Sequence, residues 1–174
     1  MPVGLAETSE RLLACVGDAL AAAERPVCSS YQTVGTPVIL TCCDCEEEGE
    51  EANGELSIHF RRLFDAESST LNEAQRVRPC KGGVTAAHFR LVLARCFPTV
   101  TEEGEIPSHD SQEDSALDLQ KDAELMWQAL ACCPDLPLKI DDLSVDLGPR
   151  GGCSIVFADV TVQVLVPAIP SPSG

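Results

Sequence analysis

The cysteines carry the most versatile chemistry in this chain, which contains ten of them. Cys42 and Cys45 have the C-x-x-C spacing of structural zinc sites, and Cys80 is a further candidate ligand. Such sites take four ligands and usually draw on two knuckles of this kind. The rest of the chain offers only the adjacent pair Cys132-Cys133 and isolated thiols, so a second knuckle is missing.

Three interpretations of the cysteines stay open at the level of sequence. They could hold zinc or an iron–sulfur cluster, or they could pair as disulfides in a particle that is released into an oxidising medium. They could also pack in the core as unreactive thiols, because a free cysteine behaves as a small hydrophobe. We favour packed thiols and predict no cofactor.

The histidines do not form a recognisable catalytic arrangement. His59 and His88 fall in strand-like segments and His109 falls in a loop, so no imidazole is predicted beside a cysteine nucleophile. The glycines at 82–83 and 148–152 suit turns, because a phosphate-binding loop would need a helix to begin directly after it. The carboxylates occur in runs typical of solvated loops. We therefore expect a binding protein with no catalytic residues.

A small group of arginines differs from its acidic surroundings: Arg61, Arg62, Arg76 and Arg78. In a chain with a net charge of −16, these side chains could contact the acidic loops of a second copy, which would give a head-to-tail electrostatic contact. Pairing with carboxylates of the same chain explains them equally well. We take the arginines as candidate interface residues.

Composition and charge restrict the class of protein. A length of 174 residues with 44% hydrophobic residues predicts one folded domain with a substantial core. A net charge of −16 repels phosphate backbones, so a specific nucleic-acid platform is not expected. The charge suits solubility, or a surface past which a polyanion slides without adhering. With no membrane-length apolar stretch and no signal-like N-terminus, we expect a protein made in the cytoplasm.

Hydrophobic periodicity predicts two helices. The first runs from about Leu5 to Ala23, and Pro26 lies just beyond its end. The second begins near Asp110, where acidic residues complement the helix dipole, and ends before Pro134. We expect its buried stripe to comprise Leu119, Ala123, Met126, Trp127 and Leu130.

Alternating and β-branched segments predict the strands, which cover 34–41, 55–64, 84–97, 138–147 and 153–166. The first contains Pro37 and should be irregular or lie at a sheet edge. The third also fits a helical period, and we favour the strand. The last places valines on one face and should be central to the core.

This order of elements predicts an α+β fold. We expect an antiparallel or mixed sheet of about five strands with two helices packed on one face. The single domain would span residues 1–166, with acidic loops near 44–55 and 98–112. Residues 167–174 are rich in proline and serine and should form a C-terminal arm.

Several segments together resemble small neck proteins of siphophages that infect actinobacteria. The resemblance rests on an N-terminal amphipathic helix followed by a cysteine-rich acidic turn, CCDCEEEGE, and a strand of the type GELSIHFRRLF. After these come AAHFRLVLARCFPTV, a helix DAELMWQALACC and a closing GGCSIVFADVTVQVLV. The similarity covers about residues 12–166, and the order of elements resembles the tail-terminator fold.

The resemblance implies a structural virion protein of the phage neck. Tail terminators form hexameric rings that cap the tail tube, stop its growth and join it to the head connector. The implied partners are further copies of the chain, the tail tube protein and a head-connector or stopper protein. DNA would pass through the lumen without specific binding, and assembly would take place in the host cytoplasm.

Other functions remain open. The chain could be a different head–tail connector component, such as a stopper or adaptor, although adaptors are mostly helical. Its cysteines could make a metal-binding module or a redox enzyme. Its acidity could also serve a monomeric, host-directed protein that mimics nucleic acid.

Overall fold

The computed structural model describes residues 3–35, 53–64, 83–100, 104–150 and 152–168. The elements in chain order are α1 (Leu5–Ala22), β1 (Ser29–Val34), β2 (Glu55–Phe64), β3 (Gly83–Cys96), α2 (His109–Ala131), β4 (Leu138–Arg150) and β5 (Cys153–Val166). The predicted α+β class is confirmed. Neither helix in these ranges combines the length and apolarity needed to cross a membrane.

The five strands form one mixed sheet in the order β1-β2-β3-β5-β4. β1 pairs parallel with β2, and the other neighbours are antiparallel. β5 lies between β3 and β4, and its inward valines are fully buried, as the sequence predicts for a central strand. The segment 84–97 is a strand and not a helix, because its alternate side chains have buried partners on both neighbouring strands.

Both helices pack on one face of this sheet. The hydrophobic core combines α1 and α2 with the inward residues of β2, β3 and β5, and its fully buried members include Leu12, Val16, Leu20, Ile58, Phe89, Leu91, Met126 and Val160. Burial of these apolar side chains contributes roughly 1.5–3 kcal/mol for each large residue. The core therefore accounts for the layered arrangement that the sequence pattern predicts.

A side-chain oxygen caps the start of α2, whereas α1 begins after Gly4 without a side-chain cap. The Ser108 hydroxyl accepts a hydrogen bond from the Ser111 amide at the start of α2, and Asp110 lies in the first turn. α2 thus begins at His109, inside the stretch 98–112 that the sequence predicts as a loop. α1 ends at Ala22, and Glu24 adopts a positive φ of 59° before Pro26.

Two predictions about individual segments are corrected. β1 covers Ser29–Val34, so only Val34 of the predicted strand 34–41 lies in it. Gly35 follows with a φ of +85°, and residues 36–41 lie outside the described ranges. Trp127 is half exposed, because eight residues of helix place it about 80° around the axis from buried Leu119. Asp122 lies closer to the centre of the buried face.

A buried ion cluster joins three parts of the chain. The carboxylate of Asp122 on α2 accepts hydrogen bonds from Arg25 Nε at 2.7 Å and from Arg95 Nε at 3.0 Å. The Arg95 guanidinium also donates to the backbone carbonyls of Arg25, Pro26 and Asn53. Asp122 is fully buried and Arg95 nearly so, so each charge depends on the other for compensation.

Disulfides replace the packed thiols that we favour from the sequence. Cys15 on α1 is bonded to Cys133 just after α2, across a sequence separation of 118 residues. Cys28, Cys96 and Cys153 are disulfide-bonded as well. A cross-link of this span stabilises a fold by about 2–5 kcal/mol, chiefly by restricting the unfolded chain. The packed-thiol interpretation is wrong for these five cysteines.

Replacing Asp122 should destabilise the fold more than replacing any exposed acid of the same helix. We expect Asp122→Asn to lower the free energy of unfolding by about 3–5 kcal/mol, because Arg95 would remain buried without a counter-charge. Urea unfolding measures the difference. Asp114→Asn, at an exposed position of α2, is the matched control and should change it by less than about 0.5 kcal/mol. Equal losses would refute the role of the cluster.

Candidate interaction surfaces

One candidate surface lies where β2 runs past the end of β1. β1 pairs only with residues Glu55 to Phe60 of β2, so the following residues have no strand on that side within the described ranges. Arg61, Arg62 and Leu63 are exposed there, beside Val34 at the end of β1. We call Val34, Arg61, Arg62 and Leu63 the basic edge.

A β-bulge gives the basic edge its shape. The pairing of β2 with β3 shifts between Phe60 and Arg62, which leaves Arg61 as the extra residue. Arg61 Nη1 donates a hydrogen bond to the Gly35 carbonyl at 3.2 Å, and the Arg62 guanidinium lies 5.2 Å from the centre of the Phe64 ring. Both cations are thus oriented by local contacts while remaining open to solvent.

A second candidate surface lies at the opposite edge of the sheet, where α2 packs beside the outer strand β4. Ala123, Glu124, Trp127 and Gln128 of α2 line a groove of about 330 Å³ together with Leu143 of β4. The Trp127 side chain is 50% exposed in this groove. Asp141 and Asp142 precede Leu143 on the strand and are exposed. We call Glu124, Trp127, Asp141, Asp142 and Leu143 the acidic edge.

The acidic edge also contains a bulge, at Asp141. Partial burial acts to raise the pKa of Asp141, but hydrogen bonds from Thr161 and Lys139 hold this pKa below its usual range. Asp142 accepts a hydrogen bond from the Ser144 hydroxyl at 2.6 Å. Asp141 therefore stays ionised at neutral pH, although Lys139 offsets part of its charge.

The candidate residues taken from the sequence divide into two groups. Arg61 and Arg62 are exposed and adjacent, as an interface role requires. Arg76, Arg78 and the candidate metal ligands Cys42, Cys45 and Cys80 lie outside the described residues. Within the described ranges, no group of three or more His, Cys, Asp or Glu residues is placed to hold a metal ion.

The acidic edge was missed by sequence reasoning. The hydrophobic pattern predicts Trp127 in the buried stripe, and composition alone indicates only a generally acidic surface. The position of Trp127 on the flank of the helix was readable from the 100° helical step, but its proximity to Leu143 depends on how α2 crosses the sheet.

A buried serine–histidine pair lies on the sheet face opposite the helices. The Ser57 side-chain oxygen lies 2.9 Å from His59 Nε2, as the two-residue repeat of a strand allows. His59 Nδ1 has no hydrogen-bond partner among the described residues. Both residues are buried, so the pair is closed to a substrate in this structure.

Cys132 is the free cysteine of the described ranges, and it is exposed. It lies next to the Cys15–Cys133 disulfide, and these cysteines line one groove of about 530 Å³ between the middle of α1 and the C-terminal end of α2. The groove is lined largely by alanine and cysteine, with Arg11, Asp18 and Asp135 among its polar residues.

Differential alkylation should separate the cysteines. Without reductant, we expect iodoacetamide to modify Cys132 in the native protein and to leave Cys15 and Cys133 unmodified, because only the thiolate reacts. Peptide mass spectrometry after reduction and a second alkylating reagent measures the two populations. Modification of Cys15 or Cys133 in the first step would contradict the disulfide.

The buried His59 should make stability depend on pH. Burial, with the nearby charges of Arg61 and Arg90, lowers the pKa of His59 below its ordinary value of 6.5. The unfolded chain therefore binds a proton near pH 6.5 before the folded one does, and stability falls as the pH drops below that value, by at most about 1.4 kcal/mol per pH unit.

Urea unfolding between pH 7.5 and pH 5 measures this dependence, and His59→Gln is the comparison because it lacks the titrating ring. The carboxylates of Asp118 and Asp141 have lowered pKa values and lose their contribution only below about pH 3.8, outside this window. Identical slopes for the two proteins would show that His59 does not cause the loss.

The described residues thus offer two accessible surfaces of unlike charge, each with exposed apolar side chains, and a serine–histidine pair that solvent does not reach. This arrangement suits recognition of other proteins. No known family model matches the sequence, and no curated protein matches it significantly.

Proposed function

We propose that this chain is a structural protein of a siphophage neck, a tail terminator that forms a ring, caps the tail tube and joins it to the head connector. The observation that carries the proposal is the pair of unlike edges on opposite sides of one sheet. The resemblance to neck proteins supplies the identity of the assembly.

The unlike edges favour contact between copies. The basic edge lies mainly on β2, and three strand spacings of about 4.8 Å, or roughly 14 Å, separate β2 from β4, so the two edges of one copy do not contact each other. Complementary surfaces on opposite sides of a subunit produce a heterologous, head-to-tail contact. Such contacts close into a ring when the rotation between subunits allows it, and a hexamer is our expectation.

The acidity of the chain suits a ring around DNA. A net charge of −16 per subunit leaves an excess of negative charge after the arginines of the basic edge are paired. An acidic lumen repels the phosphate backbone and lets DNA pass without adhering. We propose that the tail tube protein binds one face of the ring and that the connector or stopper protein binds the other.

The disulfides are compatible with a virion. Disulfides persist in oxidising surroundings, which include the medium that surrounds a released particle. The chain would be made in the host cytoplasm and its cysteines would pair during or after release. The same bonds oppose the metal-module alternative for Cys15, Cys28, Cys96, Cys133 and Cys153, because a disulfide sulfur does not supply a thiolate ligand.

Solution mass tests the proposal. We expect light scattering to give a ring-sized oligomer for the purified protein, alone or after addition of tail tubes, and electron microscopy to show it at tube ends. Other connector components would form rings that bind the head connector and leave tube ends free. A monomer that binds neither the tubes nor the connector would contradict the proposal and favour the host-directed alternative.

A further inference from the structure

We propose that the basic edge of one copy docks on the acidic edge of the next, with its apolar side chains against Trp127. This inference rests on the proposed ring and names the contact that closes it. The occupant of the groove beside Trp127 is thus a second copy of this chain.

Exposed apolar side chains are the first support. Val34 is 74% exposed and Leu63 is 45% exposed at the basic edge, and Trp127 is half exposed at the acidic edge. The groove beside Trp127 is open and is bordered by Ala123 and Leu143, so it can receive a branched aliphatic side chain. Half-exposed tryptophans surrounded by polar residues are typical centres of protein interfaces.

Charge complementarity is the second support. Arg61 and Arg62 precede Leu63 on β2, and Glu124 lines the groove that would receive it. Asp141 and Asp142 lie next to the groove on the edge strand β4, with their carboxylates on the sheet face away from the helices, because Asp142 pairs with Asp159 and Asp141 accepts a hydrogen bond from Thr161. Lys139 forms an ion pair with Asp141, so we expect Glu124 and Asp142 to be the carboxylates that attract the arginines of a second copy. Cations beside an apolar side chain would thus meet Glu124 in the groove and Asp142 on the adjacent edge strand.

The contact runs through side chains and does not extend the sheet. The bulge at Asp141 and the charges of Lys139, Asp141 and Asp142 interrupt the outer edge of β4, and such features block edge-to-edge strand pairing. On the other side, the bulge at Arg61 breaks the regular edge of β2. Both bulges turn charged side chains outward at the positions that the docking uses.

Trp127 is the single tryptophan of the sequence, so its fluorescence reports directly on this groove. Association should move its emission to shorter wavelength as the half-exposed indole becomes covered. The shift should weaken as salt concentration rises, because the flanking charges are exposed and screened.

Charge reversal of each edge tests the pairing. Protein X carries Arg61→Glu and Arg62→Glu, and protein Y carries Glu124→Lys and Asp142→Lys. Each alone should associate roughly tenfold or more weakly than the unchanged protein, because like charges would meet at every contact. An equimolar mixture of X and Y should restore association and the fluorescence shift, since each altered edge then meets an oppositely charged one.

Glu10→Lys, at an exposed position of α1, is the matched control and should associate like the unchanged protein. Circular dichroism confirms that every variant is folded, as expected for exposed positions. If association needs tail tubes, the same comparison is made on tube ends. Unimpaired association of X and Y, or a mixture that stays dissociated, would overturn the docking.

The outcome separates this inference from the proposed function. Rings that cap tubes without sensitivity to these charges would leave the function standing and refute the docking. Charge-dependent association of copies that bind neither tubes nor connectors would support the docking and refute the function. A protein that stays monomeric under all conditions would refute both.

Discussion

The rest of the fold depends on the carboxylate of Asp122. It compensates Arg95 on the central strand β3 and Arg25 in the segment that leaves α1, so one buried group fixes α2 against the sheet and against α1. The same Arg95 holds the carbonyls of Pro26 and Asn53, which flank the region where β1 and β2 begin. The Cys15–Cys133 disulfide joins the middle of α1 to the residues just after α2. Electrostatic and covalent ties thus act in the middle of α2 and just beyond its C-terminal end.

Much of the fold follows from the sequence because hydrophobic periodicity is local. The two helices, the strand Glu55–Phe64 and the hairpin of β4 and β5 all follow from repeats of 3.6 or 2. The parallel pairing of β1 with β2 and the bulges at Arg61 and Asp141 do not, because they depend on long-range register. A bulge also shifts by one residue the side chains that face each side of the sheet. Leu63 therefore lies on the same face as Ala87, although strict two-residue alternation from Phe60 would place it on the other face.

The candidate surfaces were only half predictable, for a related reason. Arg61 and Arg62 differ in charge from their surroundings, which a sequence reveals directly. The groove beside Trp127 combines residues from α2 and β4, and it exists only through packing. Cysteine pairing is similarly non-local, because Cys15 and Cys133 are 118 residues apart and no sequence motif links them. The proposed ring would need subunits whose two edges are held at a fixed separation, and the sheet between the edges fixes that separation.

The position of β5 affects when a newly made chain can fold. β5 follows the other four described strands in the chain, yet its valines lie at the centre of the core, and Val3 pairs with Val164 near its end. Until the ribosome has passed this strand, α1, β2 and β3 lack the surface that buries them. Folding is therefore completed after translation of β5, and a prematurely terminated product has neither a stable core nor two rigid edges. In the proposed ring such fragments could not take the place of a subunit, so this late inner strand would restrict assembly to copies that contain β5.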